Sequence, residues 1–134
     1  MKKFILIVLC LIGLSAFNEV SAQHDLDIVN GSSCDVVVTG GEMNPLTCTP
    51  GIAITTNVPA GAILPVTYTG APNIVNKFWI GDCSGNGVPL WDYTMCGFGN
   101  NLVGTIPGSA CCPSGVTVTL TPATPTTNAL INIF

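Results

Sequence analysis

The residues with the widest chemical range lie together between positions 77 and 101, which read KFWIGDCSGNGVPLWDYTMCGFGNN. Both tryptophans, two acids and the only lysine beyond position 3 are in this segment. Aromatic rings offer flat apolar area, and carboxylates and amides offer hydrogen bonds, a mixture that suits sugar rings and peptides. We therefore predict a surface that recognises carbohydrate or peptide, with the candidate residues Trp79, Asp82, Trp91, Asp92 and Tyr93.

The same tryptophans have a structural interpretation. A buried tryptophan beside a disulfide fills the core of many β-sandwich domains. Strand alternation places Trp91 and Tyr93 on one face and Asp92 on the other, which favours a core position for at least one of the two tryptophans. The predicted ligand site then depends on whichever tryptophan remains exposed.

A second pattern in this segment is typical of calcium loops. Residues 82–87 (DCSGNG) carry oxygen-bearing side chains at alternate positions before a glycine, so the candidate ligands are Asp82, Ser84 and Asn86. Position twelve of such a loop is Tyr93 rather than glutamate, and only Asp92 remains to complete the site. We favour the alternative of a hairpin turn in which Asp82 caps its own backbone, because two carboxylates are few for Ca²⁺.

The sequence favours a protein that is not an enzyme. His24 is the only histidine, and it lies beside the predicted mature terminus, where a base is not held in place. A carboxylate pair of Asp82 and Asp92 has no further polar apparatus around it in the sequence. One lysine and no arginine beyond residue 22 also exclude nucleic acid as a partner, since such binding needs several cations. We predict no cofactor, with calcium as the one ion considered.

Residues 1–22 (MKKFILIVLCLIGLSAFNEVSA) are predicted to be a secretory signal peptide. Two lysines precede a short apolar run, and small residues precede position 23. The run is too short for a membrane span, so we expect none after cleavage, and the short Lys-Lys start resembles bacterial signals. The remaining 112 residues, 23–134, are the size of one domain. Their six acids and one lysine leave a formal side-chain charge of −5.

Six cysteines remain after this cleavage, and in an exported chain an even number predicts a disulfide framework. They are Cys34, Cys48, Cys83, Cys96, Cys111 and Cys112. Our first expectation is Cys34 with Cys48, across a segment rich in turn residues. The adjacent pair should bond different partners, because successive side chains of an extended segment point to opposite faces. Cys83 and Cys96 are the candidates, and a bond within the adjacent pair is the alternative.

Short extended runs separated by turn residues dominate the rest of the chain. Residues 25–39 predict a hairpin around an Asn-Gly pair, and 40–51 (GGEMNPLTCTPG) predict a loop. A Pro-Ala-Gly turn at 59–61 separates two further strands, and Pro65 places the second of them at a sheet edge. No run keeps a helical period. The strands are predicted at 52–58, 63–69, 74–80, 102–106, 116–120 and 129–134.

These runs predict an all-β fold, an antiparallel β-sandwich of about seven to nine short strands, Ig-like or jelly-roll-like, stapled by disulfides. Residues 27–30 (DIVN) with a cysteine soon after, residues 59–61, and Trp79 before Cys83 resemble the first part of thaumatin-like proteins. The chain lacks that family's much larger set of cysteines and its acidic-cleft pattern. We therefore transfer no function from the resemblance.

The sequence thus predicts a small secreted module at or outside the cell surface, which binds an extracellular glycan or protein. The alternative is a structural surface subunit that assembles with copies of itself. That hypothesis depends on residues 128–134 (NALINIF), an apolar run with little charge that follows a hinge rich in proline and threonine. We favour the interpretation that this run closes the sheet of its own domain.

Overall fold

The computed structural model describes residues 26–44, 46–67, 74–123 and 127–134. The predicted signal peptide and His24 lie outside these ranges. Within them the chain forms ten strands and one 3-10 helix, Thr94–Cys96. The strands are β1 (Leu26–Asn30), β2 (Val36–Asn44), β3 (Thr49–Val58), β4 (Ile63–Val66), β5 (Ile74–Gly81), β6 (Gly87–Asp92), β7 (Asn100–Asn101), β8 (Val103–Ile106), β9 (Val116–Thr121) and β10 (Ala129–Ile133).

The strands form two five-stranded sheets that pack face to face, which confirms the predicted β-sandwich. Sheet A has the order β4-β1-β10-β9-β8, and sheet B has the order β3-β2-β5-β6-β7. The number of strands in the described residues slightly exceeds the expected seven to nine. One pairing differs from the antiparallel expectation, because β1 and β10 run parallel, with Ile28 opposite Ile131.

The core lies between the sheets and comes from alternate residues of each strand. In β1, β9 and β10 every second side chain is buried, so the pattern of β-branched and apolar residues matches the two-residue period of a strand. Each fully buried aliphatic side chain stabilises the fold by about 2 kcal/mol. The largest buried side chains include Phe78, Leu26, Ile28, Ile80, Leu90, Ile106, Ile131 and Ile133.

The predicted hairpin at 25–39 is wrong. β1 belongs to sheet A, where it pairs with β10 and β4, whereas β2 belongs to sheet B and pairs with β3 and β5. The Asn-Gly pair at 30–31 therefore marks a corner at which the chain crosses from one sheet to the other. Gly31 N donates to Ile133 O at 2.7 Å, so the backbone stays attached to the end of β10 as it leaves β1.

The side chain of Asn30 holds this corner. It is almost fully buried, and its Nδ2 donates to the carbonyl oxygens of Cys34, Val58 and Pro59 at 2.9, 2.9 and 3.0 Å. Its Oδ1 accepts from the backbone N and the Oγ of Ser32. In a hairpin turn, such backbone groups form hydrogen bonds with the opposite strand. Here one side-chain amide instead donates hydrogen bonds to carbonyl groups at the crossing and at the end of β3.

A second corner follows β3. The predicted turn at 59–61 is confirmed, since Ala62 N donates to Pro59 O at 3.1 Å. The strands on either side lie in different sheets, because β3 is an edge of sheet B and β4 is an edge of sheet A. Pro65 lies in β4, which confirms the predicted edge position of a strand that contains proline.

The predicted loop at 40–51 is mostly strand. β2 continues to Asn44 and β3 begins at Thr49, so the connection is a short turn rather than a long loop. The pairing of β2 with β3 shifts register between Gly41 and Met43, so β2 has a bulge at this point. At position 40 of this strand there is no room for a side chain, because the ring of Phe78, the partner of Gly40 on β5, occupies that space.

The C-terminal run closes the sheet of its own domain, as we favoured. β10 lies between β1 and β9 in sheet A and is paired on both sides. Its side chains Ala129, Ile131 and Ile133 are buried in the core. Pairing with another copy through this strand would require it to leave sheet A.

Three disulfides connect the described cysteines: Cys34–Cys112, Cys48–Cys96 and Cys83–Cys111. The expected Cys34–Cys48 bond and a bond within the adjacent pair are wrong, as is the assignment of Cys96 to that pair. The prediction that Cys111 and Cys112 bond different partners is confirmed, with Cys83 as one of them. Cys34 turns into the core towards Cys112, while Cys48 lies at an exposed turn near the 3-10 helix.

This framework is typical of proteins that fold in an oxidising compartment. In the described part of the chain, no helix is long and apolar enough to cross a membrane.

Replacing the corner amide tests its role. Asn30→Ala removes a donor from three carbonyl groups, so we expect a loss of about 2–3 kcal/mol in the free energy of unfolding. Asn57→Ala, an exposed position on β3, is the matched control and should change stability by less than about 0.5 kcal/mol. Urea unfolding with the disulfides intact measures both, and equal effects of the two substitutions would contradict the assignment.

Candidate functional site

The outer face of sheet B carries a groove of about 860 Å³. Such a volume lies within the usual range of small-ligand sites. Apolar and aromatic side chains of β2, β5 and β6, and of the segment after β6, form most of its wall. We call it the aromatic groove and define it by Met43, Lys77, Trp79, Trp91, Tyr93 and Phe98.

Strand alternation positions the centre of the groove. On β5, Phe78 and Ile80 point into the core, so Lys77 and Trp79 point outwards. The register with β6 places Trp91 opposite Lys77 and Pro89 opposite Trp79. Lys77 therefore lies between two indoles, one two residues along its own strand and one directly across on the next strand.

Two glycines determine where the indole of Trp79 rests. Gly81 and Gly87 are paired across β5 and β6, one row beyond Trp79. A Cβ added at either glycine would overlap the six-membered ring of Trp79, so the ring lies across the pair. Trp79 nevertheless remains 39% exposed. The glycines thus support one side of a ring that is still accessible to a ligand.

Neither tryptophan lies in the core, so the expectation that at least one of them fills it is wrong. Phe78 is the large aromatic side chain between the sheets, and Trp91 is half-buried in the wall of the groove. Tyr93 is also half-buried there, and burial raises the pKa of its hydroxyl above the usual value of 10.0. Like an ordinary tyrosine hydroxyl, it is protonated at neutral pH and can donate a hydrogen bond.

The Cys48–Cys96 disulfide closes one end of the groove. It joins the turn between β2 and β3 to the 3-10 helix, and both cysteines line the groove. Phe98 follows the helix and is largely exposed. The disulfide therefore holds Phe98 and Tyr93 in a fixed relation to sheet B.

Asp82 lies outside the groove, in the turn between β5 and β6. Its Oδ1 accepts from the backbone N of Ser84 and Asn86 at 2.9 and 3.0 Å. Its Oδ2 accepts from Ser109 Oγ at 2.5 Å, and that hydroxyl in turn accepts from the backbone N of Cys111 and Cys112. Asp82 caps its own turn, as the hairpin alternative predicts, and also links it to the cysteine loop.

These hydrogen bonds bear on the calcium hypothesis. Both carboxylate oxygens of Asp82 already accept from protein donors, and the hydroxyl of Ser84 is directed to Cys111 Sγ at 3.3 Å. The described residues contain no group of three or more histidine, cysteine or acidic side chains that could hold a metal ion. A calcium ion at Asp82, Ser84 and Asn86 stays a prediction, and it would have to displace these donors.

Asp92 does not lie beside Asp82 in the structure. It lies at the far end of β6, five residues beyond Gly87, which corresponds to about 16 Å along a strand. Its Oδ1 accepts from the backbone N and the Oγ of Thr94 at 3.1 and 2.7 Å. Of the five predicted ligand residues, the structure brings together Trp79, Trp91 and Tyr93, and it places the two acids elsewhere.

Sequence reasoning missed several residues of the site. Lys77 and Pro89 line the groove through strand register, and Met43 comes from a segment predicted as a loop. The signal for Gly81 and Gly87 was present, since each lies on the outer face of a strand beside Trp79. Only the register shows that the two glycines are partners and that the ring covers both.

We compared the chain with known protein families, curated proteins and solved structures. None of them matches it.

Adding a methyl group beneath the indole tests the support for Trp79. In a Trp91→Phe background, Gly81→Ala should displace the Trp79 ring, because the three atoms nearest to the new Cβ all belong to that ring. Iodide quenching of tryptophan fluorescence should then increase and the emission shift to the red. Gly99→Ala has open space around its Cβ and is the matched control. Unchanged quenching in the Gly81→Ala variant would contradict the described ring position.

The Asp82 network predicts a pH dependence of stability. The hydrogen bond from Ser109, followed by those from the Asn86 and Ser84 backbone, lowers the pKa of Asp82 below its usual 3.8 despite desolvation. Because the folded state holds this proton less tightly than the unfolded state, the contribution is present above about pH 4 and is lost as the pH falls through the folded pKa. Thermal melting of Asp82→Asn should therefore differ from the parent at pH 6 and converge with it towards pH 2. A constant difference across this range would contradict the assignment.

Proposed function

We propose that this protein is a small secreted binding module, not an enzyme, and that it recognises carbohydrate through the aromatic groove. The observation that carries the proposal is the position of Trp79, whose ring rests on Gly81 and Gly87 and remains accessible. The apolar faces of sugar rings stack on such supported aromatic surfaces, and a ring already in place loses little conformational entropy on binding.

The polar groups around the ring support the same ligand class. Indole N–H groups of Trp79 and Trp91 and the hydroxyl of Tyr93 are donors in the wall of a site that is mostly apolar. A few placed hydrogen-bonding groups among aromatic side chains are usual for small-ligand sites, where they fix the orientation of the ligand.

The placement of the acids supports a binding function over hydrolysis. Glycosidases hold two carboxyl groups about 5–10 Å apart across the scissile bond. Asp82 and Asp92 lie at opposite ends of β6, and the described hydrogen bonds occupy both with the backbone around them. Secretion is supported by the predicted signal peptide and by the three disulfides.

A glycan array probed with the secreted protein tests this function. We expect binding to at least one glycan, and we expect Trp79→Ala to weaken it by about tenfold or more, because loss of one stacking contact costs about 1.4 kcal/mol. Ile63→Ala is the matched control, since Ile63 is an exposed apolar residue on sheet A, away from the groove. No binding by the parent across the array, or equal losses in both variants, would contradict the proposal. Binding of a peptide library in place of glycans would identify the other ligand class.

A further inference from the structure

We infer that the aromatic groove selects acidic sugars, with the ammonium of Lys77 as the partner of the ligand's anionic group. The ligand is a sugar ring that carries a carboxylate or a sulfate ester. This inference depends on the proposed function, because it assigns a charge preference to the same surface.

The first observation is where the one cation lies. Lys77 is the only lysine beyond residue 22, and the chain contains no arginine. It is exposed and lines the groove. In a protein with a net negative charge, the single positive side chain of the mature chain is thus placed in the predicted ligand site.

The second observation is the arrangement of Lys77 and the two indoles. Lys77 is directly opposite Trp91, and Trp79 follows two residues along β5, about 7 Å away. The flexible stem of a lysine lets its ammonium reach over either ring. A sugar ring stacked on one indole therefore brings a substituent on its edge within reach of the ammonium.

The surroundings strengthen this preference. Aromatic walls exclude water from part of the groove, and the attraction between an ammonium and an anion grows as the local dielectric constant falls. Glu42 is the acid that lines the groove in the described residues, but it is only 3% exposed, so little of its surface is available to a ligand. Asp27 lies on the other sheet, and Asp82 is committed to its turn.

Pairs of glycans that differ only in charge test the inference. Oligogalacturonate with its methyl ester, alginate oligomers with their methyl esters, and a sulfated galactan with its desulfated form provide three such pairs. Binding is measured by isothermal titration with the secreted protein, in EDTA so that calcium does not mediate binding of the anion. We expect the acidic member of at least one pair to bind about tenfold more tightly than the neutral one.

Variants at Lys77 identify the source of that preference. Lys77→Met keeps the apolar stem and removes the charge, so the acidic ligand should bind no better than its neutral partner. Lys77→Arg should keep the preference. The preference should also shrink between about 50 mM and about 500 mM NaCl, because salt screens an exposed charge pair. Melting temperatures of both variants check the fold, which should be unaffected because Lys77 is exposed.

Two failures can be told apart. If the parent binds glycans but treats acidic and neutral members equally, or if Lys77→Met keeps the preference, the charge assignment is wrong and the proposed function stands. If the parent binds no glycan of either kind, or binds acidic peptides or fatty-acid vesicles instead, both the proposed function and this inference are overturned.

Discussion

The division of this chain into two sheets depends on one buried side-chain amide, that of Asn30. A chain that leaves one sheet and enters the other must bring its backbone through the edge of the core, where unpaired carbonyl groups are costly. Asn30 donates to three of them and so fixes both the crossing after β1 and the end of β3. With β1 held in sheet A, β10 can pair beside it, and β2 is left to form the centre of sheet B.

Sheet B uses glycine in the same way on both of its faces. Gly40 leaves room for Phe78 in the core, and the pair Gly81 and Gly87 leaves room for Trp79 on the outside. A large ring covers each glycine, from the neighbouring strand at Gly40 and Gly87 and from the same strand at Gly81. This cover offsets the weak packing of glycine in a strand. Neighbouring residues of β5 thus supply the main aromatic side chain of the core and an accessible ring of the groove.

Local sequence patterns correctly predicted the elements that depend only on residues close together in the chain. The strands at 74–80, 116–120 and 129–134, the turn at 59–61 and the capping role of Asp82 follow from alternation and from turn residues. The hairpin at 25–39 failed because an Asn-Gly pair permits a tight turn but does not require one, and here the amide found partners 28 and 29 residues away. The site was only half predictable. Lys77, Gly81 and Gly87 lie in the same segment as Trp79, Trp91 and Tyr93, but only strand register shows that they adjoin the two indoles.

The adjacent cysteines show how the disulfide pairing and the packing of the core depend on each other in this protein. Cys112 is 1% exposed and faces the core towards Cys34, while Cys111 is half-buried and bonds the exposed Cys83. Exchange of their partners would require the backbone to rotate by one residue, which would bring a core sulfur to the surface and a surface sulfur into the core. Packing of the two sheets therefore distinguishes the native pairing from the one in which the two cysteines exchange partners, because only the native pairing keeps Cys112 in the core.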